Sequence, residues 1–490
     1  MKKYLFCLLI LLGITSCEDF LEEEVFTEYE PGAFLKDKPA VDALLTGAYS
    51  NMQISSSGAS MQYYFFVLNE LTTDITLESD GGFERQVLPF MQFTWDASDG
   101  IFNGQYNKFY RAVAAANNVL AVSSNLETID EETLTQITAE ARFVRGFSYY
   151  ILHSIFGPTP IIEIPEGASL DEIEKIGKET PRPSEEEYRA YVEADFLFAV
   201  NNLSEGGFSS RANKGNSYAM LVKFYLNNKQ WQKAADAAQM VLGMGYELYD
   251  DYAKLFSVNG DDNNEYILRF ESLVGSNQFN PYMPYAFPPN YPTLPNWSNY
   301  GAQLRTFTDF YETFEEQDVR RSLFLTEYTP TNTGVLTPLV RDSEGNALNN
   351  ARSFKYAPDP DAVGIEHGND IPYVRLADII LARAEALNEL NGPNQESIDL
   401  INQIRERASA SIIALGDFPS KESLNDFILA ERAKEFYTEG LRREDLIRHG
   451  KFIQQAIDRG IQAQPHQVVY PLPQSQLDNN PNLEQNPGYN

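Results

Sequence analysis

Residues 281–300 carry the side chains whose types and spacing are best suited to binding a ligand. The segment reads PYMPYAFPPNYPTLPNWSNY, and its six prolines restrict the backbone and prevent regular secondary structure. The segment also carries a run of aromatic residues and a candidate amide beside them: Tyr282, Tyr285, Phe287, Tyr291, Asn296, Trp297 and Tyr300. Aromatic rings stack on the C–H faces of sugars, while tyrosine hydroxyl and indole N–H groups bond to sugar hydroxyls.

Two interpretations of residues 281–300 stay open at this point. In the first, the proline-fixed backbone holds the rings as a preorganised contact surface for a ligand. In the second, the rings form an irregular lid that caps a helical core. Trp297 and Tyr300 are predicted to be more exposed than the other rings, because polar residues flank them at Asn296, Ser298 and Asn299.

Other chemistries find little support in the sequence. The two cysteines, Cys7 and Cys17, both lie near the N-terminus, which excludes a disulfide framework or thiolate metal site in the body of the chain. The four histidines include no pair at helical ligand spacing. Near the C-terminus a dense pattern of acidic and basic residues is interpreted as ion pairs rather than as a catalytic carboxylate pair. That pattern comprises Glu431, Arg432, Glu435, Arg442 and Asp445.

The charge balance limits the classes of ligand. Seventy acidic residues against 38 basic ones give a formal net charge of −32. A nucleic-acid partner is disfavoured, because phosphate binding needs a basic surface. A polyanionic ligand is also disfavoured. With 70 acidic residues, paired carboxylates do not identify a glycosidase.

The elements that must position the aromatic segment are predicted to be helical hairpins. In Tyr373–Ala408, apolar residues recur at helical spacing on both sides of Gly392-Pro393, which is typical of a helix end. A short-linked, alanine-rich, antiparallel helix pair is the unit of a helical repeat array. Residues 217–242 form a second such hairpin, similar to a tetratricopeptide repeat.

Further helices are predicted at residues 33–54 and 61–71, from Tyr106 to Leu120, and at 137–150 and 188–203. Residues 265–270 alternate like a strand. Residues 72–99, which include Trp95, lack a regular period and are predicted to form a long surface loop. The C-terminal end, residues 463–490, is predicted to be an extended tail without helix.

The N-terminus has the features of a processed leader. Lys2 and Lys3 precede a short apolar run, and Ile14-Thr15-Ser16-Cys17 resembles a bacterial lipobox, in which cleavage leaves an acylated cysteine. Residues 1–16 are therefore predicted to be a lipoprotein signal peptide and Cys17 a lipidated membrane anchor; a plain secretory signal with an incidental cysteine is the alternative. The acidic residues that follow, at 18–19 and 22–24, look like a surface-export signal or are a solvated tether.

Several ordered motifs together resemble the SusD/RagB family of Bacteroidetes outer-membrane lipoproteins. They are Arg375-Leu376-Ala377-Asp378, Arg383-Ala384-Glu385-Ala386, Ile401 to Ala408, Glu431-Arg432 with Glu435-Phe436, Glu439-Gly440-Leu441-Arg442, Asp445 to Arg448, and the closing Tyr470-Pro471-Leu472-Pro473 and Asn486-Pro487-Gly488-Tyr489. Glu265 to Leu268, Tyr106 to Asn117 and the lipobox also fit, so the resemblance covers essentially the whole chain.

The resemblance implies a mainly α fold, with a tetratricopeptide-like helical scaffold and a loop-rich ligand-binding subdomain that contains a few short strands. On this basis residues 17–490 form one unit, with the scaffold at about 33–71, 104–245 and 371–455 and the subdomain at about 246–370. It implies no enzymatic activity and no cofactor. Calcium binds some members, but here the oxygens of residues 261–264 are better interpreted as a polar turn.

The resemblance also implies a function and a partner. By this resemblance, we expect a lipid-anchored outer-membrane protein that faces the cell exterior, binds oligosaccharides and delivers them to a SusC-like TonB-dependent transporter. A peptide-binding member of the same family, or a scaffold of an outer-membrane complex, is the alternative. Trp95 joins the candidate glycan-binding residues, because many members have an aromatic residue before the helix that here begins near Tyr106.

Overall fold

A computed structural model describes residues 38–53, 61–79, 82–123, 129–165, 168–206, 210–301 and 304–489. The predicted signal peptide, Cys17 and the acidic residues after it lie outside the described residues. The protein is mainly α-helical with a few two-stranded sheets, which confirms the predicted fold class. None of the described helices is long and apolar enough to cross a membrane.

The N-terminal half consists of helices joined by short connections. In chain order these are α1 (Lys38–Met52), a π-helix (Met61–Leu68), strand β1 (Thr76–Glu78), α2 (Glu84–Met91), α3 (Gly100–Ser123), α4 (Glu131–Phe156), α5 (Leu170–Glu179), α6 (Glu185–Asn202), α7 (Lys214–Asn227) and α8 (Trp231–Leu242). Helix α3 packs on α1 and α4, α4 on α6, α6 on α7, and α7 on α8. Ser184 and Asn213 form capping boxes that begin α6 and α7.

An irregular stretch follows, with short elements: α9 (Tyr252–Leu255), β2 (Tyr266–Phe270), α10 (Tyr282–Ala286), β3 (Leu304–Thr306), α11 (Thr308–Tyr311), β4 (Phe324–Leu325), β5 (Glu327–Tyr328), β6 (Thr337–Pro338) and β7 (Arg352–Ser353). Strand β8 (Ile371–Arg375) then pairs antiparallel with β2. We call residues 246–370 the inserted segment, because the helix after it packs directly on α8, the helix before it.

The chain then returns to helices: α12 (Leu376–Asn391), α13 (Gln395–Arg407), α14 (Lys421–Phe436), α15 (Arg442–Arg448), α16 (Phe452–Asp458) and α17 (Gln474–Asn479). Helix α12 packs on α8, α13 and α14 and so continues the array. The predicted hairpin begins later than expected, because Tyr373 and Arg375 belong to β8. It breaks at Gly392, whose φ of 73° is left-handed.

Two other predictions were wrong in detail. Residues 72–99 are not a surface loop: they contain β1 and α2, and Val87, Phe90 and Phe93 are buried in the main core. The C-terminal tail is not purely extended either. It includes α17 and a 3₁₀ turn at Pro465–Val468, and its Tyr470 and Leu472 are fully buried.

One large hydrophobic cluster runs through both the helical array and the inserted segment. It includes Phe147 of α4 and Ile380 of α12, together with Phe270, Tyr282 and Phe287 of the inserted segment. The inserted segment is therefore fixed to the helices by shared burial of apolar side chains, which is the dominant stabilising term in folding.

A buried carboxyl group, Glu70, links the end of the π-helix to the turn before α15. Its Oε1 accepts the Gly440 N–H at 2.9 Å and its Oε2 accepts the Thr76 hydroxyl at 3.3 Å. Burial raises the pKa of Glu70 to about 8, although the Gly440 bond and the charges of Lys355 and Arg442 oppose the rise. Between about pH 4.5 and pH 8, Glu70 is therefore protonated in the folded protein and ionised in the unfolded chain.

This proton makes stability depend on pH. Because the folded-state pKa is raised, the contribution of Glu70 is fully present below about pH 4.5 and is lost as the pH rises through about 8. Glutamine is neutral at every pH. We therefore expect the free energy of unfolding to fall less in Glu70→Gln than in the wild type between about pH 5 and pH 8, with a difference between the two falls of ~1 kcal/mol or more. Urea denaturation at the two pH values measures this difference, and parallel profiles for the two proteins would contradict it.

Candidate functional site

The aromatic residues of 281–300 divide into a buried set and a partly exposed set. Tyr282, on α10, is only 4% exposed, and its ring centroid lies 5.1 Å from that of Phe66 and 5.7 Å from that of Tyr356. The structure therefore places Tyr282 in the core, where a ligand cannot reach it. This corrects the expectation that it belongs to a contact surface.

Trp95 is also buried. It is 5% exposed, its ring packs against Phe93 and Tyr470 at 4.9 Å or less, and its indole N–H donates to the Tyr489 hydroxyl at 3.0 Å. The indole N–H and the ring of Trp95 are thus both engaged inside the protein. The structure does not bring Trp95 to the surface formed by residues 285–300.

The clearest ring arrangement of the partly exposed set is a stack centred on Phe287. The Tyr291 ring lies 5.3 Å from it at an interplanar angle of 13°, and the Trp297 ring lies 5.5 Å from it at 6°. Phe287 itself is fully buried, whereas Tyr291 and Trp297 are half-buried. A buried ring thus supports two partly exposed rings, which is how a stacking platform for a ligand is made rigid.

A second pair of rings belongs to the same segment. The rings of Tyr285 and Tyr300 are 4.9 Å apart, and Tyr285 also lies 5.7 Å from buried Phe83. Tyr300 is 42% exposed, in agreement with the expectation from its polar neighbours. We call Tyr285, Tyr291, Trp297 and Tyr300 together the aromatic surface.

Backbone hydrogen bonds fix the aromatic surface to a neighbouring loop. The Ser298 N–H donates to the Gly364 carbonyl at 2.8 Å, and the Gly364 N–H donates to the Asn296 carbonyl at 2.7 Å. Asn296 is exposed, but its side-chain amide donates to the Ala362 carbonyl, so at least part of its role is to anchor this loop. The Tyr300 N–H donates to the Pro284 carbonyl at 2.9 Å and joins the two ends of the segment.

Polar atoms under the aromatic surface lack partners. The Trp297 Nε1, His367 Nε2 and Asn280 Nδ2 atoms are buried without an acceptor. Burial lowers the pKa of His367 to about 4, against the charge of Asp359, and its Nδ1 accepts the Asp359 N–H at 3.2 Å. The neutral ring therefore carries its proton on Nε2. These three donors need an acceptor, which an ordered water or a ligand hydroxyl would supply.

A buried ion network joins the inserted segment to α12, α13 and α14. Arg375 at the end of β8 bonds to Glu265 at 2.7 Å, to Glu435 at 2.6 Å and to Glu439 at 2.8 Å. Lys355 bonds to Glu439 at 2.6 Å. Burial by itself would raise the pKa of Glu435, but Arg407, Arg375 and Arg320 outweigh it and hold that pKa at about 2.

The ion pairs predicted near the C-terminus are confirmed. Glu431 pairs with Arg320 and Arg405, Arg432 with Asp378 and Asp445, and Arg442 with Asp74. The charges of these carboxylates are compensated by arginines, and we assign the carboxylates a structural role. In the part of the chain that the structure describes, no group of three His, Cys, Asp or Glu side chains is placed to hold a metal ion. Asn263 of the 261–264 turn accepts the Glu265 and Tyr266 N–H groups, as a polar turn does.

The fold and the site define a class: a helical-repeat scaffold with an inserted loop-rich segment that bears a partly exposed aromatic surface. A family profile described as "SusD family" matches residues 204–489, which is more than half of the chain. A second profile, described as "Starch-binding associating with outer membrane", matches residues 19–226. The chain belongs to the SusD family.

Individual relatives agree with this assignment. SusD-like protein P2 of Formosa agariphila is 26% identical and is matched over 100% of both chains. Starch-binding protein SusD of Bacteroides thetaiotaomicron is 25% identical over 86% of this chain and 85% of its own. Among solved structures, a laminarin-binding SusD-like protein superposes with a TM-score of 0.77 at 24% identity, and the match covers 93% of this chain and 100% of that one.

Proposed function

We propose that this protein binds oligosaccharides on the aromatic surface. The observation that carries the proposal is the stack of Tyr291 and Trp297 on buried Phe287, with both outer rings partly exposed. Rings held in this way present flat apolar faces at little entropic cost, and sugar C–H faces pack on such surfaces. The family description as starch-binding and the names of the starch- and laminarin-binding relatives support a carbohydrate rather than another ligand.

We further propose that the protein is not an enzyme and acts at the cell surface. The carboxylates of its C-terminal motifs are engaged in buried ion pairs, which supports binding without catalysis. The lipobox-like Cys17 and the family description as outer-membrane associated support a lipid-anchored protein on the outer membrane. From that position it delivers its ligand to a SusC-like TonB-dependent transporter. Calcium is not required in this proposal.

The test is a glycan array followed by calorimetric titration with the best ligand; starch and laminarin oligosaccharides are included. We expect Trp297→Ala to weaken binding about tenfold or more, which corresponds to ~1.4 kcal/mol or more. Trp297→Phe keeps a ring on Phe287 and should retain part of the affinity. Trp231→Ala is the matched control, because Trp231 is a half-buried tryptophan on α8, outside the inserted segment.

Fluorescence gives a second readout. The chain has three tryptophans, of which Trp95 is buried and Trp231 lies on the helical array. A ligand-induced emission change that disappears in Trp297→Phe places the ligand on the aromatic surface. Unchanged affinity in both Trp297→Ala and Tyr291→Ala would remove this surface from the site. Retention of peptides with no glycan on the array would favour the peptide-binding alternative.

A further inference from the structure

A cavity lies in the helical array and is formed entirely by residues outside the inserted segment. It has a volume of about 440 Å³ and is enclosed by the C-terminal end of α4, by α6, α7 and α15, and by the C-terminal tail. This volume falls in the range of ~300–1,000 Å³ that is typical of small-ligand pockets. None of its lining residues belongs to the aromatic surface.

One part of the cavity wall is apolar and is formed by Pro158, Tyr188, Val192, Phe224, Ile447 and Val469. Polar and charged side chains line the rest, among them His153, Asn227, Asn228 and Arg448. The apolar side chains are aliphatic or are rings that are themselves almost fully buried, as Tyr188 at 1% and Phe224 at 3% exposure are. Such walls lack the broad exposed aromatic faces that sugars need, and they favour an aliphatic group instead.

Of the two acidic residues in the lining, Glu444 already has its partners. Glu444 accepts hydrogen bonds from the Tyr150 hydroxyl at 3.0 Å and from the Ser154 hydroxyl at 2.8 Å. Lys223 lies 3.7 Å from the same carboxylate. Glu444 therefore closes one side of the cavity without a free charge that would attract a cation.

Two guanidinium groups in the lining, by contrast, are incompletely compensated. Arg182 donates to the carbonyls of Phe156, Pro158 and Glu484 and to the Asn486 side-chain oxygen. Burial lowers the pKa of Arg182, although the charges of Glu185 and Glu484 oppose this effect. Arg189 pairs with Glu185 at 2.5 Å, but its Nε is buried and has no acceptor. Glu185 is already bonded to Arg189 and His153, so Arg182 has no carboxylate of its own in the lining.

We propose that this cavity binds a carboxylate that carries an apolar body, the chemistry of the free C-terminal end of a polypeptide. The carboxylate receives a hydrogen bond from the remaining N–H of Arg182 and is attracted by the positive charge of Arg189. The aliphatic side chain of the ligand fills the space between Val192, Phe224 and Ile447. Capture of a terminal carboxylate by fixed donors is a recurring mode of peptide recognition.

The experiment uses the full chain and three small probes: N-acetyl-leucine, N-acetyl-leucinamide and hexanoate. We expect N-acetyl-leucine to bind with a dissociation constant of about 1 mM, as a ligand of this size should, and the amide to bind at least about tenfold more weakly. Calorimetric titration measures both. Stronger binding of N-acetyl-leucine than of hexanoate identifies the end of a peptide as the source of the carboxylate. The reverse order identifies a fatty acid. The carboxylate is recognised in the same way in both cases.

Three variants locate the site. Arg189→Gln removes one of the two positive charges that attract the carboxylate and should weaken the binding of N-acetyl-leucine about tenfold, and Ile447→Phe should block the cavity. Lys233→Gln is the control, since Lys233 is an exposed cation paired with Glu193 at 2.7 Å and does not line the cavity. No binding of either acid, equal binding of acid and amide, or full binding by Ile447→Phe would each overturn the proposal. None of these outcomes depends on whether the aromatic surface binds glycans.

Discussion

We expect Arg375→Met to lower the free energy of unfolding by about 3–5 kcal/mol. Arg375 is 1% exposed and is the common partner of Glu265, Glu435 and Glu439. Methionine fills much of the space but leaves these buried carboxylates without one of their main cations. Removing one partner of a buried pair is costly because the remaining charges cannot be solvated. Urea denaturation monitored by circular dichroism measures the loss.

Arg341→Met is the matched control. Arg341 also forms a two-bond pair with a glutamate, at 2.6 Å for both bonds to Glu312, but the two side chains are 43% and 37% exposed. Exposed pairs of this kind contribute only about 0–1 kcal/mol. Equal losses in the two variants would mean that the Arg375 network contributes no more than a surface ion pair.

The consequence of losing Arg375 should be largest in the inserted segment. Glu265 lies directly before β2, whereas Glu435 and Glu439 belong to α14 and the turn after it. Arg375 thus joins the start of the inserted segment to the helix array through three carboxylates. The aromatic surface depends on this connection, because Trp297 and Tyr291 rest on Phe287, which is part of the shared core.

The helical array was predictable because its signals are local. Residues 217–242 and 376–407 show apolar residues at helical spacing, and Gly392 marks the break between α12 and α13. Helices α2 and α5 were missed for different reasons. Helix α2 is short and contains Pro89. Helix α5 has ten residues and its apolar residues are only Leu170, Ile173 and Ile176, but the capping box of Ser169 and Glu172 is a sequence signal that could have identified it.

The site was only partly predictable, since burial depends on contacts between distant parts of the chain. Tyr282 and Tyr300 occur in the same proline-rich segment, yet Phe66 and Tyr356 bury the first, whereas the second stays 42% exposed. Trp95 is covered by Tyr470 and Tyr489, almost 400 residues away. Likewise, the sequence predicts that Glu435 forms ion pairs, but its partner Arg375 and the contribution of Glu265 follow only from the fold, in which β2 pairs with β8.

We expect Gly440→Ala to cost about 2–5 kcal/mol of unfolding free energy. Gly440 has a φ of 72°, a left-handed conformation that costs an alanine about 1–2 kcal/mol. A Cβ at this position would also clash with Cδ1 of Phe65, which is 1% exposed in the main core. Overpacking of this kind adds about 1–3 kcal/mol. The shift would also disturb the bond from the Gly440 N–H to Glu70.

Gly460→Ala separates the two terms, because Gly460 has a φ of 83° but no atom within 4 Å of the position that a Cβ would occupy. It should lose only the backbone cost of about 1–2 kcal/mol. In a Phe65→Leu background, where the smaller side chain leaves room, the penalty of Gly440→Ala should fall towards that of Gly460→Ala. Denaturant midpoints of the four variants test this. The penalty of Gly440→Ala could instead be the same in both backgrounds, with Phe65 and with leucine at position 65. That outcome would assign the whole cost to the backbone, and none of it to the close packing of the π-helix against the turn before α15.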